Sequence, residues 1–472
     1  MNKLLPIFVT IILFSCGKTA EDSEKITISG IIQNPAGENI RVFYPEDTTY
    51  TIDLDSANGF YLEFDRDTSS YAYFYHGRER ATIFLSPGDS LQITLDANEF
   101  DETLSFKGPG AAANNYLAES FLLNEKMPSP YGIIDLSPAE QDRTFESVNG
   151  PEFVQALDSM YETNMSLISK WESKLNPELV EIEKGKKLYS TASFRQNIGQ
   201  QLGYFDIVLP AEYYNYEDSM ELDNIALLNV SEYTGYLSNY VSIRLYDKPI
   251  TTMEEYVEAI PSYFDLADSA LLEPNIKSRI LKSLFDRYAR NISFDKVTEL
   301  QSQYASALVG DDKTFVNDKI AQLEMIREGA EVPNFTFYTL DDDSVKLSDY
   351  RGKIVYIDFW ATWCGPCIGE QPYLEEVIEN LGDEKIEFIS LSTDATRQPW
   401  KKMVADKELS GTHLWTEGAW DSDIMDHFVI NGIPHYVIID EDGKIIDNNA
   451  TRPSQGVEEE LRELADQIPS SS

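Results

Sequence analysis

The sequence predicts a multidomain chain: an N-terminal antiparallel β-sandwich, a central all-α region and a C-terminal α/β fold with a mixed sheet. Three observations carry this. Apolar residues alternate with period two from Lys25 to about Gly108. The period becomes helical from about Ala111 to Ala330. From Val332 onward, strand-like and helix-like stretches alternate. A length of 472 residues fits roughly three domains of about 150 residues each. The hydrophobic fraction of 42% and the aromatic fraction of 12% supply enough apolar surface to exclude wholesale disorder.

The charge balance narrows the partners. With 38 Lys and Arg against 81 Asp and Glu, the formal charge is −43. Nucleic acid is excluded, because phosphate contacts need Lys and Arg patches. Anionic membrane surfaces are disfavoured for the same reason. Three cysteines in the whole chain exclude a disulfide-stapled scaffold. Cys16 stands alone, whereas Cys364 and Cys367 form one CxxC that no further cysteine completes into a zinc site.

Residues 1–15 read as a signal peptide. Lys3 precedes the apolar stretch Leu4 to Phe14, which falls short of the about 20 residues of a spanning helix. The stretch runs into Leu13-Phe14-Ser15-Cys16, which resembles a bacterial lipobox. That resemblance implies cleavage before Cys16, lipidation of Cys16 and a protein held in the bacterial cell envelope by acyl chains, facing the periplasm. Residues 16–25 are polar and unpatterned, as in a tether.

Residues 26–110 are expected to form the sandwich. Ile26 and Ile28 alternate with polar neighbours, as do Ile40, Val42 and Tyr44, then Phe60, Leu62 and Phe64, then Tyr71, Tyr73 and Tyr75. Ile83 and Leu85 lead to the turn Ser86-Pro87-Gly88-Asp89, after which Leu91, Ile93 and Leu95 resume the alternation. Lys107-Gly108-Pro109-Gly110 marks the boundary.

Residues 111–330 are expected to be helical. Phe153, Leu157, Met160, Tyr161, Ile168, Trp171 and Leu175 share one helical face. Ser137-Pro138-Ala139-Glu140 has the form of a capping box, and Thr251-Thr252-Met253-Glu254 repeats its logic. Asn176-Pro177-Glu178 is a further helix start. No repeat of fixed length supports a solenoid.

In residues 331–472, Pro333 to Phe337 begins a strand, and Lys353 to Trp360 is an apolar run suited to a buried central strand. A helix is expected from Pro366 to Asn380, a strand from Ile386 to Ser392 and a helix from Trp400 to Lys407. His435 to Asp440 and Lys444 to Ile446 read as a hairpin, and Val457 to Gln467 as a closing amphipathic helix.

The chemistry concentrates in Trp360-Ala361-Thr362-Trp363-Cys364-Gly365-Pro366-Cys367. A CxxC that leaves a strand and opens a helix puts Cys364 at the helix N-terminus, where unpaired N–H groups and the dipole stabilise a thiolate. Its pKa is then expected to fall from about 8.5 toward about 7 or below. Cys367 lies one turn further in and is less exposed. Cys364 therefore attacks a substrate disulfide, and Cys367 resolves the mixed disulfide.

These residues resemble the thioredoxin superfamily, in particular its TlpA/ResA-like envelope branch of thiol–disulfide oxidoreductases. The resemblance runs from about Val332 to the C-terminus and rests on the FWATWCGPC block, Glu370 and Pro372, and Gly432-Ile433-Pro434 before a strand. It implies a thioredoxin-like fold and a cis proline at Pro434 that faces the CxxC, blocks metal capture and, with Ile433, offers client backbone a docking edge. Asp358 matches the buried aspartate of thioredoxins. A carboxyl inside an apolar strand has a raised pKa and can act as base for Cys367, although the strand Ile386 to Thr393 carries no interior lysine to pair with it. Glu370 matches a glutamate near the disulfide in the ResA-like branch. Trp363 is expected to shield the thiols and touch substrate, beside Gly365 and Pro366. His435, just after Pro434, is expected to be an exposed strand residue, the alternative being a ring beside the site that adjusts the thiolate, and His76, His413 and His427 have no metal-site spacing. The β-rich segment resembles, more weakly, an uncharacterised sandwich domain that precedes such modules in Bacteroidetes lipoproteins.

Rival chemistries fail on single residues. A c-type haem needs CxxCH, and Ile368 follows Cys367. Peroxiredoxins carry Thr where Ala361 stands. The Gly365-Pro366 dipeptide is that of reducing thioredoxins, which favours a reductase over an oxidase or isomerase; a binding or scaffolding lipoprotein with an accessory redox domain is the alternative of another class. The expected protein reduces disulfide-containing envelope clients, touches the membrane through its lipid anchor and draws electrons from a membrane thiol donor. It needs no cofactor and no metal. The resemblance suggests cytochrome c maturation or general envelope reduction as the setting.

Overall fold

The computed structural model describes residues 25–44, 48–243, 252–381 and 385–468. The signal peptide 1–15, the lipidation residue Cys16 and the tether before Lys25 lie outside the described residues. The chain divides into two units, one ending at Pro249 and one beginning at Ile250. The helices expected between 111 and 330 therefore fall on both sides of that division.

In the first unit, β1 (Ile26–Gln33), β2 (Asn39–Phe43), β3 (Thr49–Asp53), β4 (Gly59–Phe64), β5 (Ser70–His76), β6 (Glu79–Leu85), β7 (Ser90–Asp96) and β8 (Ser105–Lys107) build two four-stranded sheets, ordered β4-β1-β7-β8 and β3-β2-β5-β6. A four-residue helix, α1 (Phe100–Thr103), precedes β8. The inner faces share one core, with Ile26, Ile28, Ile93, Ile40, Val42 and Phe74 fully buried. The sandwich is antiparallel apart from the β1–β7 pair, which is parallel. After β1 the chain forms β2 and β3 in the other sheet, returns as β4 antiparallel to β1, crosses again for β5 and β6, and comes back as β7 on the opposite side of β1 in the same direction as β1. On β5 the core face is Ala72, Phe74 and His76 rather than the tyrosines. Tyr73 and Tyr75 lie on the other face under the Arg80 and Arg41 guanidinium groups.

Four longer helices follow: α2 (Ala111–Glu125), α3 (Gly150–Trp171), α4 (Pro177–Tyr204) and α5 (Ser231–Ile243). The buried Asn114 of α2 donates to the Phe84 carbonyl and accepts from the Phe84 N–H, both at 2.9 Å, so α2 continues the sandwich edge. Buried Glu183 of α4 accepts from the phenols of Tyr71 and Tyr116 at 2.6 and 2.9 Å. Asn176 caps α4 as expected, accepting from the Glu178 N–H. Ser137 caps nothing: only a 3₁₀ turn, Glu140–Asp142, follows, and the next helix starts at Gly150. No helical apolar stripe succeeds Ser137, so the cap has no helix to begin.

The second unit opens with α6 (Met253–Ala270), α7 (Pro274–Tyr288), α8 (Phe294–Tyr304) and α9 (Gly310–Met325). The capping box of α6 is formed one residue later than the sequence suggests, by Thr252 and Glu255. The chain then enters a seven-stranded sheet ordered β10-β9-β13-β12-β11-β14-β15. Its strands are β9 (Thr336–Tyr338), β10 (Ser344–Lys346), β11 (Ile354–Trp360), β12 (Ile386–Ser392), β13 (Thr412–Trp415), β14 (His435–Ile439) and β15 (Ile445–Asp447). Its helices are α10 (Gly365–Leu381), α11 (Arg397–Lys407), α12 (Asp423–His427) and α13 (Val457–Gln467). β11 runs parallel to β12 and antiparallel to β14, which makes the sheet mixed. Every residue of β11 is buried, as its unbroken apolar run requires. The segment after α9 is paired to β15: Gly329 N–H donates to Ile445 and Ile445 N–H to Ala330, at 2.8 and 2.9 Å. Among the described residues no helix is long and apolar enough to cross a membrane.

Candidate functional site

The central strand β11 delivers the chain to Cys364, and α10 starts at the next residue. Cys364 thus occupies the N-cap position of α10. Its sulfur accepts from the Cys367 N–H at 3.2 Å, the bond that a capping serine would make to the third helical residue. Cys364 and Cys367 are joined as a disulfide, with Cα atoms 5.3 Å apart. Both are buried, Cys364 at 4% and Cys367 at 2% exposure, so the expected difference in access is slight. They pack among Trp360, Trp400 and Trp415.

Opposite the cysteines, the Ile433–Pro434 peptide is cis. The Ile433 carbonyl oxygen lies 3.8 Å from Cys364 Sγ. The structure therefore brings together Cys364, Cys367, Ile433 and Pro434, which are distant in sequence. Gly365 and Pro366 form the exposed first turn of α10. Trp363 is 59% exposed and pairs with Trp420, ring centroids 6.3 Å apart. The packing around the sulfurs comes from the three other tryptophans, so Trp363 presents its ring to solvent and is not part of that cluster.

Asp358 lies in the middle of β11, between Ser390 of β12 and Tyr436 of β14. It is buried, and its Oδ1 finds no hydrogen-bond partner among the described residues. Burial pushes its carboxyl up to about 8, and the charge of Glu370 adds to the rise. Among the described residues no cation offsets either effect, in line with the lack of a lysine on β12. The phenol of Tyr436 is also pushed up, by burial first and then by Asp358, and stays neutral. Glu370 points its carboxylate at the turn before α13, where Ser454 donates from its N–H at 3.0 Å and its hydroxyl at 2.8 Å. Its influence on Asp358 is electrostatic. His435 is half-buried rather than exposed, and burial lowers its pKa. Among the described residues no cluster of three or more His, Cys, Asp and Glu is placed to hold a metal ion.

Sequence reasoning missed Asp394, just past the end of β12. It is 3% exposed. Its carboxylate accepts from the Thr362 hydroxyl at 2.7 Å, the Thr362 N–H at 3.1 Å and the Ser392 hydroxyl at 2.8 Å. It thereby fixes the turn that carries Trp363 and Cys364. The available signal was the polar run Ser392-Thr393-Asp394 at the C-terminal end of a central strand, where sites in α/β sheets lie. Asp394→Ala is expected to destabilise the oxidised chain by about 3 kcal/mol, as loss of several buried charge-assisted hydrogen bonds does. Thermal melting checks this, and an unchanged melting temperature contradicts it.

The Redoxin family model matches residues 327–468. The thiol-disulfide oxidoreductase ResA of Bacillus cereus is 32% identical over 127 residues, covering 27% of this chain and 72% of that protein. The protein of the same name from Bacillus subtilis is 26% identical over 133 residues, covering 28% of this chain and 73% of that protein. Among solved structures, the thioredoxin domain of a thiol-disulfide oxidoreductase from Bacteroides vulgatus is 27% identical. It covers 30% of this chain and 98% of that one, with a TM-score of 0.27.

Proposed function

We propose, on the premise that this chain belongs to the ResA-like thiol-disulfide oxidoreductases of the thioredoxin superfamily, that it acts as a reductant of envelope proteins. The observation that carries the reading is Cys364 at the N-cap of α10, its sulfur accepting the Cys367 N–H and facing the Ile433 carbonyl. A thiolate there is stabilised by the helix N-terminus and stands beside a backbone edge that a client can meet.

In the dithiol form, the Cys364 thiolate attacks one sulfur of a client disulfide. The S–S bond breaks, and the other client sulfur leaves as a thiolate. Cys367 then loses its proton to Asp358 and attacks Cys364 Sγ. The intramolecular disulfide closes and the second client thiolate leaves, so two electrons pass to the client. Glu370 tunes Asp358 through its charge. Client backbone docks along Ile433 and Pro434, with Trp363, Gly365 and Pro366 touching it.

The Gly365-Pro366 dipeptide supports the reducing direction. The lipobox at Cys16 supports an anchor in the envelope facing the periplasm, a membrane thiol donor upstream, and clients in cytochrome c maturation or general envelope reduction. Residues 26–110 and 111–330 would place or select those clients ahead of the redox domain 331–472. Fractionation of cells after rapid alkylation tests the proposal. The wild type is expected in membranes with the Cys364–Cys367 pair mostly reduced, and Cys16→Ala in the soluble fraction. A mostly oxidised pair contradicts the reducing direction. A membrane-bound Cys16→Ala protein contradicts the anchor.

A further inference from the structure

The second unit contains a cleft of about 990 Å³ that the redox chemistry does not use. One wall is the turn between α7 and α8, with Arg290, Asn291 and Phe294, and the end of α9. The other wall is the loop that leads to the cis proline, with Gly432, and beyond it His435 and Asn448. Gly432 immediately precedes Ile433, whose carbonyl lies 3.8 Å from Cys364 Sγ. The loop that walls the cleft thus runs directly into the docking edge. Its first wall comes from helices outside the thioredoxin-like sheet.

Four features show how this cleft is built. Arg290 NH2 donates to the Val429 carbonyl at 3.1 Å, tying the helices to the docking loop. Val429 has φ +51, a left-handed conformation that a β-branched residue rarely adopts and that surrounding contacts must enforce. Across the cleft, the Asn448 side chain donates to the Ile326 carbonyl. The loop is therefore clamped, and its position depends on α7 to α9. The fourth feature is a half-buried ring in the wall. His435 has a buried Nε2 with no hydrogen-bond partner among the described residues, while its ring bonds to the Asn448 backbone. Burial lowers its pKa, so the ring adds no positive charge to the cleft wall.

We infer that this cleft binds the polypeptide flanking the client's disulfide, as an extended chain running from the Ile433–Pro434 edge between the docking loop and the α7–α8 turn. A peptide backbone supplies carbonyls for the remaining guanidinium donors of Arg290. Phe294 and Phe428 offer apolar contact to its side chains. A small disulfide such as glutathione disulfide reaches the sulfurs without filling the cleft. The helices α7 to α9 then act as a gauge of client length next to the redox pair. The inference rests on the reading of the chain as a protein disulfide reductase.

The test is the rate at which the reduced protein attacks a disulfide-linked cysteine tetrapeptide and a dodecapeptide with the same core. The wild type is expected to react about tenfold faster with the longer peptide, the equivalent of about 1.4 kcal/mol of extra binding. Asn291→Trp, which fills the cleft from the α7–α8 turn, is expected to bring the ratio of the two rates close to one. Taking a ratio within each protein cancels any general damage to the redox site. Equal rates in the wild type overturn the inference, as does an undiminished ratio in Asn291→Trp. If the tryptophan variant does not fold, benzoylphenylalanine at position 291 in a Cys367→Ser protein decides. It must crosslink the dodecapeptide held as a mixed disulfide, and failure to do so overturns the cleft. If the wild type reacts with neither peptide, the reductase reading itself falls, a result distinct from reaction at equal rates.

Discussion

Cys364→Ser is expected to abolish disulfide reduction, with turnover falling by roughly a thousandfold or more, as for loss of any nucleophile. Cys367→Ser is expected to be equally inactive in turnover but to accumulate a mixed disulfide with its client. The difference follows from geometry. Cys364 carries the sulfur that accepts the Cys367 N–H at the helix N-cap and faces the Ile433 carbonyl. Cys367 is one turn inside α10, and can reach only a sulfur already attached to Cys364. Non-reducing gel analysis of the two variants after exposure to an oxidised protein probe checks this. Trapping by both to the same extent overturns the order of attack.

The second large effect belongs to Asp358. Asp358→Asn is expected to slow release of client from a preformed mixed disulfide by about a hundredfold at pH 8, the usual scale for loss of a positioned base. In the wild type the release rate should rise through about pH 8, where Asp358 ionises. In the variant that limb should vanish. Stability moves the opposite way. The unfolded carboxyl ionises near 3.8 and the folded one near 8, so between these values the folded chain holds one proton more. Stability is therefore full below about pH 3.8, declines as pH rises, and is lowest above about pH 8. The loss is on the order of 5 kcal/mol at 1.36 kcal/mol per pKa unit. Asparagine carries no such loss, so the variant should melt higher than the wild type, with a larger gap at pH 9 than at pH 4. An unchanged pH profile of release, or a gap that shrinks with rising pH, contradicts the assignment.

How much of this was legible in the sequence depended on how local each feature is. β12 and α13 match their expected spans, because an apolar run with period two or 3.6 determines both ends. The redox pair was legible because strand, CxxC and helix are contiguous. Features that need distant partners were not. The parallel β1–β7 pair depends on the path of the intervening strands, which alternation does not record. The tyrosines of β5 alternate as well as its core residues do, and only the facing sheet decides that Phe74 goes inward. Asp394 reads as a polar strand end until β12 lies beside the Thr362 turn. The division after Pro249 was invisible because helical periodicity runs on both sides of it. Trp363 shows the same limit. Its position beside Cys364 suggests a shield, but Trp360, Trp400 and Trp415, gathered from three elements, supply the cover.

The Cys364–Cys367 pair is expected to give electrons away. Its reduction potential tests this most directly, by equilibration of the mature soluble form with dithiothreitol or glutathione. Trp360, buried against the pair, serves as the fluorescence reporter. A value near or below about −250 mV is expected, in the range of thioredoxin-like reductants. A value above about −180 mV would place the pair with isomerases and oxidases and contradict it.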